Sequence, residues 1–214
     1  MRTRLTAGVL IAILTFCVAS VADELSSLMP PPAGASVAIV LFQDLQWPDC
    51  ASAYPTIIQT AQTRHIPVVV HDFPMPRHSW SFQASVTARF FDAKSQQLGN
   101  DFRGYILQNQ QQISDEAALR RYAEKFAVDR QVALPSQLDP DGKLAEQVQA
   151  DFRLGQQIGV EHTPTLFVVG SGNVSSPLVE VISRARLNSM IDVMQKKAGA
   201  PQPAKIPPKQ RKKG

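Results

Sequence analysis

Two β-branched runs separated by one helix-length segment constrain this chain more than any other feature. Ser36 to Gln43 reads Ser-Val-Ala-Ile-Val-Leu-Phe-Gln, a continuous apolar stretch of the kind that a strand covered on both faces requires. Ile66 to Asp72, Ile-Pro-Val-Val-Val-His-Asp, is a second candidate strand. Between them, Asp49 to Arg64 places Ala51, Tyr54, Ile57, Ile58 and Ala61 at helical spacings. Pro55 is expected to kink that helix, because it lacks an amide donor and crowds the preceding turn. Two buried strands joined through one helix make a right-handed βαβ unit with parallel strands, hence an α/β protein.

From about residue 79 to residue 158 the pattern turns helical, which reads as an inserted helical subdomain. The candidate helices are Ser81 to Gln97, Gly99 to Gln110, and a third capped by Ser114 and running through Phe126. A fourth opens with Asp139 as cap and Pro140 at the first helical position, carries Leu144, Val148 and Phe152 on one face, and ends at Gly159. The sheet resumes at Thr165 to Val169, turns through Gly170 to Asn173, and returns antiparallel at Leu178 to Ile182. Ser183 then caps a last helix with Leu187, Met190, Ile191 and Met194 on its apolar face. There is no internal repeat.

The two ends read differently from the body. Arg2 and Arg4, the apolar run Ala7 to Val18 and the small residues Ser20-Val21-Ala22 make residues 1–22 an export signal, with Asp23 as the first mature residue and 23–36 as a linker. A membrane anchor competes with that reading, but an apolar stretch of about 12 residues falls short of the roughly 20 that span a bilayer. No later stretch is apolar for long enough, so the expected location is the periplasm or outside the cell. Removing the leader removes Cys17 and leaves Cys50 alone, which excludes an internal disulfide. Cys50 is then a free thiol, a buried small hydrophobe or half of an intermolecular bridge.

The formal charge of +4 is also a property of the ends. Of 22 Lys and Arg, five lie from Lys205 onward and two in the leader, which leaves 15 against 18 Asp and Glu in the body. Residues 199–214 form a Pro- and Lys-rich tail too polar to build a core, expected to be disordered. A solvated, solubilising terminus is the simple reading; weak contact with an anionic surface is the alternative.

Four local patterns, in this order, resemble the DsbA-like thioredoxin family over about Val37 to Met194. The first is Phe42-Gln43-Asp44-Leu45-Gln46-Trp47-Pro48-Asp49-Cys50 followed by Tyr54-Pro55, similar to that family's strand, Cys-x-x-Cys motif and kinked first helix. The second is Val70-His71-Asp72-Phe73-Pro74-Met75, the third the helical block, and the fourth Gly159-Val160-Glu161-His162-Thr163-Pro164-Thr165-Leu166-Phe167-Val168, which looks like the cis-proline loop and the strand after it. The resemblance implies a thioredoxin-like fold with an inserted helical subdomain and a cis peptide at Thr163-Pro164.

It also implies that the attacking cysteine of the family is replaced here by Trp47. An indole has no nucleophile, so dithiol exchange within one chain is excluded. Cys50 takes the place of the resolving cysteine and is the candidate catalytic residue if any thiol chemistry persists. The field of a helix N-terminus favours its thiolate while Asp49 opposes it, and sequence alone does not decide between them. Trp47 can serve as an aromatic platform for peptide side chains or fold back to cover the old site. By the resemblance, the backbone before Pro164 pairs with an extended substrate strand, which makes Trp47, Pro48, Asp49, His162, Thr163 and Pro164 the candidate binding residues.

His162, Cys50 and Asp49 are three ligand types near one loop, but a zinc site needs three or four well-directed donors and no metal is expected. His71 and His78 read as ordinary surface or satisfied histidines. No Gly-rich phosphate loop, Gly-x-Ser-x-Gly elbow or interleaved basic and aromatic stretch is present, so no cofactor and no nucleic-acid partner is expected. The reading is an exported peptide- or protein-binding relative without dithiol turnover; the alternatives are a one-cysteine oxidoreductase using Cys50 and an envelope protein acting through its tail.

Overall fold

The computed structural model describes residues 24–170 and 172–199. The leader at 1–22, Ser171 of the expected turn and the basic tail from residue 200 onward lie outside these residues.

The first β-branched run forms β1 (Val37–Gln43), buried along its whole length. It is followed by α1 (Pro48–Arg64) and β2 (Val68–Asp72). β1 and β2 pair in parallel from Ile39 opposite Val68 to Gln43 opposite Asp72. The later β3 (Thr165–Gly170) lies antiparallel on the other side of β1, from Val37 opposite Gly170 to Phe42 opposite Thr165. Two short strands, β4 (Asn173–Val174) and β5 (Leu178–Val179), share the outer edge of β3. The return strand is thus broken in two and shorter than Leu178 to Ile182.

The alternation of β1 sends its side chains to two cores. Val37, Ile39 and Leu41 pack with Ala53 and Ile57 of α1 and with Leu187, Ile191 and Met194 of the last helix, α6 (Arg184–Gly199). Ala38, Val40 and Phe42 pack with Met29, Phe73 and Val160. A third cluster belongs to the helices between β2 and β3: Trp80, Phe91, Phe102, Ile106, Leu119 and Phe126. Leu45 and Cys50 are members of this same cluster, so the start of α1 is roofed by the inserted helices.

Those helices are α2 (Ser81–Asp92), α3 (Gln96–Asn109), α4 (Glu116–Asp129) and α5 (Lys143–Gln157). Their starts correct the sequence reading at three places. α2 ends before Gln97 because Ser95 caps α3, its side chain accepting from Leu98 N at 3.1 Å. Gly99 is then not a helix start but a contact residue: a β-carbon there would stand 1.8 Å from Asp92 Oδ1. Asp115 rather than Ser114 caps α4, accepting from Ala118 N at 2.7 Å, while Ser114 Oγ donates to Asp115 at 2.9 Å. Pro140 is not in α5, whose N-cap is Gly142 at φ 72°. Asp139 still satisfies its first amides across the turn, accepting from Leu144 N and Ala145 N at 3.0 and 2.8 Å.

Candidate functional site

The register of β1 against β3 builds the site. Because Phe42 faces Thr165, the segment before Thr165 must pass beside the residues that leave β1, Asp44 to Cys50. The Thr163-Pro164 peptide in that segment is cis. Thr165 Oγ1 donates to His162 O at 2.7 Å, and Glu180 N donates to Pro164 O at 2.8 Å, fixing the loop to its own strand and to the edge.

Trp47 is the N-cap of α1 and Pro48 occupies the first helical position, where a missing amide costs nothing. The Trp47 side chain makes no capping bond, and its carbonyl accepts the first bonds of the helix, from Cys50 N and Ala51 N at 3.1 and 3.3 Å. Pro48 and Asp49 are exposed; Cys50, one step further round the helix, points inward and is 2 % exposed. Its Sγ accepts from Asp44 N at 3.4 Å, and the Thr163 side chain hydrogen-bonds to it. Burial pushes the thiol up to about 12, against the two hydrogen bonds, and the carboxylates of Asp44 and Asp49 add to the rise. Burial therefore outweighs the helix field that sequence could only set against Asp49, and Cys50 is held as a neutral thiol at physiological pH.

Trp47 is folded back rather than projecting. Its ring stacks on His78 at 5.2 Å between centroids with an interplanar angle of 20°, Arg77 Cζ lies 5.0 Å over it, and it packs against the helical core. Gln110 Nε2 reaches from the end of the helical block to Leu45 O and Trp47 O, both at 3.2 Å, and clamps the loop.

Sequence reasoning missed the group that organises this arrangement. Asp44 is fully buried directly after β1 and accepts from Gln46 N at 2.8 Å, Met75 N at 2.7 Å, His78 Nδ1 at 2.6 Å and the Ser81 hydroxyl. Arg77 Nε donates to His78 Nε2 at 3.4 Å, which leaves Nδ1 as the imidazole's donor to Asp44. Of the two readings of His78, surface or satisfied, it is the satisfied one that holds, and the acceptor that satisfies it makes it part of the site; the signal available was an Asp closing an apolar strand, a position that has to be satisfied from elsewhere.

His162 does not join the cluster. Its side chain is 60 % exposed and Nδ1 lies 3.4 Å from Glu180 Oε1 on the sheet edge, while Cys50 is buried and Asp49 faces solvent. Among the described residues no group of three His, Cys, Asp or Glu is close enough to hold a metal ion. No helix among them is long and apolar enough to cross a membrane.

A mixed sheet flanked by helices, with a cis-proline loop beside the first helix and a helical block between β2 and β3, defines the thioredoxin-like class. The chain belongs to the thioredoxin family, whose sequence profile matches residues 33–186. Solved structures agree on the fold. The thiol-disulfide exchange protein alpha-DsbA2 of Wolbachia pipientis superposes with a TM-score of 0.66 at 19 % identity, covering 83 % of this chain and 98 % of that one. A linker-deletion variant of Proteus mirabilis ScsC gives 0.65 at 13 %, covering 92 % and 100 %. A periplasmic thioredoxin-like protein from Salmonella enterica serovar Typhimurium gives 0.61 at 16 %, covering 80 % and 95 %. Among curated protein sequences no significant match is found. The fold is accordingly thioredoxin-like α/β of the DsbA type, with inserted helices.

Proposed function

We propose that this is an exported member of the family that holds peptide or protein segments at the surface of Trp47, Pro48, Asp49, His162, Thr163 and Pro164 without exchanging disulfides. The observation that carries the reading is the state of the thiol. Cys50 is buried with its proton retained, and the position ahead of it on the helix is an indole. Separate support for binding comes from the rim of the site: Pro48, Asp49 and His162 are exposed, whereas Thr163 and Pro164 are themselves buried, so a partner strand reaches them only at that rim. The partly buried face of Trp47 adds aromatic contact area beside it. Export rests on the basic and apolar pattern of residues 1–22.

The test is binding without turnover. Incubated with scrambled ribonuclease, the protein is expected to co-elute with it and leave its disulfide content unchanged, and Trp47→Ala to weaken co-elution several-fold. Disulfide rearrangement that disappears in Cys50→Ala would transfer the function to a one-cysteine oxidoreductase. Absence of co-elution would remove the binding reading.

A further inference from the structure

A concave surface separate from the cis-proline loop lies where the turn after β2 faces α5. Its volume is about 490 Å³, within the range of ligand-sized pockets. Pro74, Met75 and Pro76 come from the turn, Phe82 from α2 and Phe152 from α5. Phe152 is fixed, stacked on Phe73 with centroids 4.5 Å apart. Phe82 remains 40 % exposed, one of few large apolar side chains among the described residues to do so. A rigid aromatic wall facing an exposed one is surface that gains from being covered.

The charges of the cleft say what kind of chain covers it. Arg153 lines it, is exposed, and has no ion-pair partner among the described residues. Arg77, between the lining residues Pro76 and His78, does not line the cleft itself; its guanidinium rests on the Trp47 ring. Among the described residues no Asp or Glu lines the cleft. Asp44, which bonds Met75 N and His78, is fully buried and already saturated. Two other clefts lack this imbalance: the one between α1 and α3 contains the Arg130–Asp101 pair at 3.8 Å, and the one among α2, α4 and α5 contains Glu116 and Asp139 beside Arg120.

We infer that the cleft between the 74–82 turn and α5 binds an extended segment of a partner protein in which an aromatic or aliphatic side chain is flanked by acidic residues. The apolar side chain enters between Phe82 and Phe152, and the flanking carboxylates meet Arg153. This does not rest on the cis-proline reading; either surface can bind if the other does not.

Two fluorescein-labelled peptides, Asp-Glu-Phe-Leu-Glu-Asp and Lys-Lys-Phe-Leu-Lys-Lys, separate the possibilities by anisotropy titration at low salt, with phosphatidylglycerol vesicles as a third probe. The acidic peptide is expected to bind at least about tenfold more tightly than the basic one, with the preference shrinking as salt rises. Arg153→Glu abolishes the preference, Phe82→Ala weakens both peptides, and hydrogen-exchange protection falls on 74–82 and 143–157. Equal affinity for the two peptides, a preference that survives Arg153→Glu, or protection at 162–165 instead would overturn the inference. Vesicle binding that is lost in Arg153→Glu, without peptide binding, would overturn it in favour of a lipid surface. Co-elution with scrambled ribonuclease that persists in Arg153→Glu keeps the cis-proline reading intact even then.

Discussion

Asp44 and Asp72 leave neighbouring parallel strands one residue apart in register, both are fully buried, and they are held in opposite ways. Asp72 is clamped by cations: Arg103 donates to both of its oxygens at 3.1 and 2.7 Å, and Arg89 Nε lies 3.0 Å away in an ion-pair contact rather than an aligned hydrogen bond. Arg103 extends the network to Asp92 at 2.8 Å, and Arg89 to Asp151, which also binds His71 at 2.7 Å. Asp44 has two backbone amides, one hydroxyl and one imidazole. Burial alone would raise the Asp72 carboxyl; the charges of Arg103 and Arg89 outweigh it and hold the group below the ordinary carboxylate range. The ion network ties α2, α3 and α5 to the end of β2, whereas the neutral shell ties the Trp47 loop to the turn after β2. The first fixes the position of the helical block, and the second fixes the site.

The largest effect is expected where a charge is stranded. Arg103→Met leaves Asp72 buried with one partner fewer and should cost about 3–5 kcal/mol at neutral pH in denaturant titrations. The sign with pH is specific. In the native protein the depressed Asp72 pKa contributes stability above about pH 4, lost as pH falls through the folded value. In Arg103→Met that pKa rises, so the variant should be most impaired at neutral pH and approach the parent as the medium is acidified. A deficit that does not shrink below about pH 4 would mean packing, not charge, is what Arg103 supplies. Asp44→Ala comes second, at about 2–3 kcal/mol, since its four donors lose a common acceptor. Because His78 loses its anchor beside Trp47, the Trp47 fluorescence should change in the native state as well. Asp44→Asn, which retains one acceptor, should lose less and keep the stack.

The contrast also explains what the sequence could reveal. β1, α1, β2, β3 and the last helix were legible because each carries a strong period: the fully apolar β1, the three-and-four spacing of Ile57 and Ala61, the face of Leu187, Ile191 and Met194. Helix ends were harder, since Ser114 and Asp115 are both good caps and only geometry chooses Asp115. The long-range shell of Asp44 was illegible, because Ser81 and His78 lie over thirty positions away along the chain. Trp47, Cys50 and the Thr163-Pro164 loop could be found by their order along the chain. The burial that decides the behaviour of Cys50 depends on Leu45, Trp80 and the helices above, and no local pattern encodes it.

The thiol is a further buried ionisable group beside these, and it should show the smallest effect with the clearest signature. Cys50→Ala removes one sulfur from a packed cluster and is expected to cost about 1 kcal/mol at pH 7. Because the folded thiol is raised to about 12 while an unfolded cysteine ionises near 8.5, its contribution is complete below about pH 8.5 and is lost as pH climbs toward the folded value. The parent should therefore lose stability between those limits while Cys50→Ala follows a flatter line, so that the two midpoints converge or cross in alkali. Reaction with a thiol reagent at pH 7 should be slow in the native protein and rapid in denaturant. Fast native labelling with a midpoint below 8.5 would place Cys50 with the activated thiols. Asp44 N–H would then be stabilising an anion, and the neutral shell around Asp44 would have a chemical role in addition to its structural one.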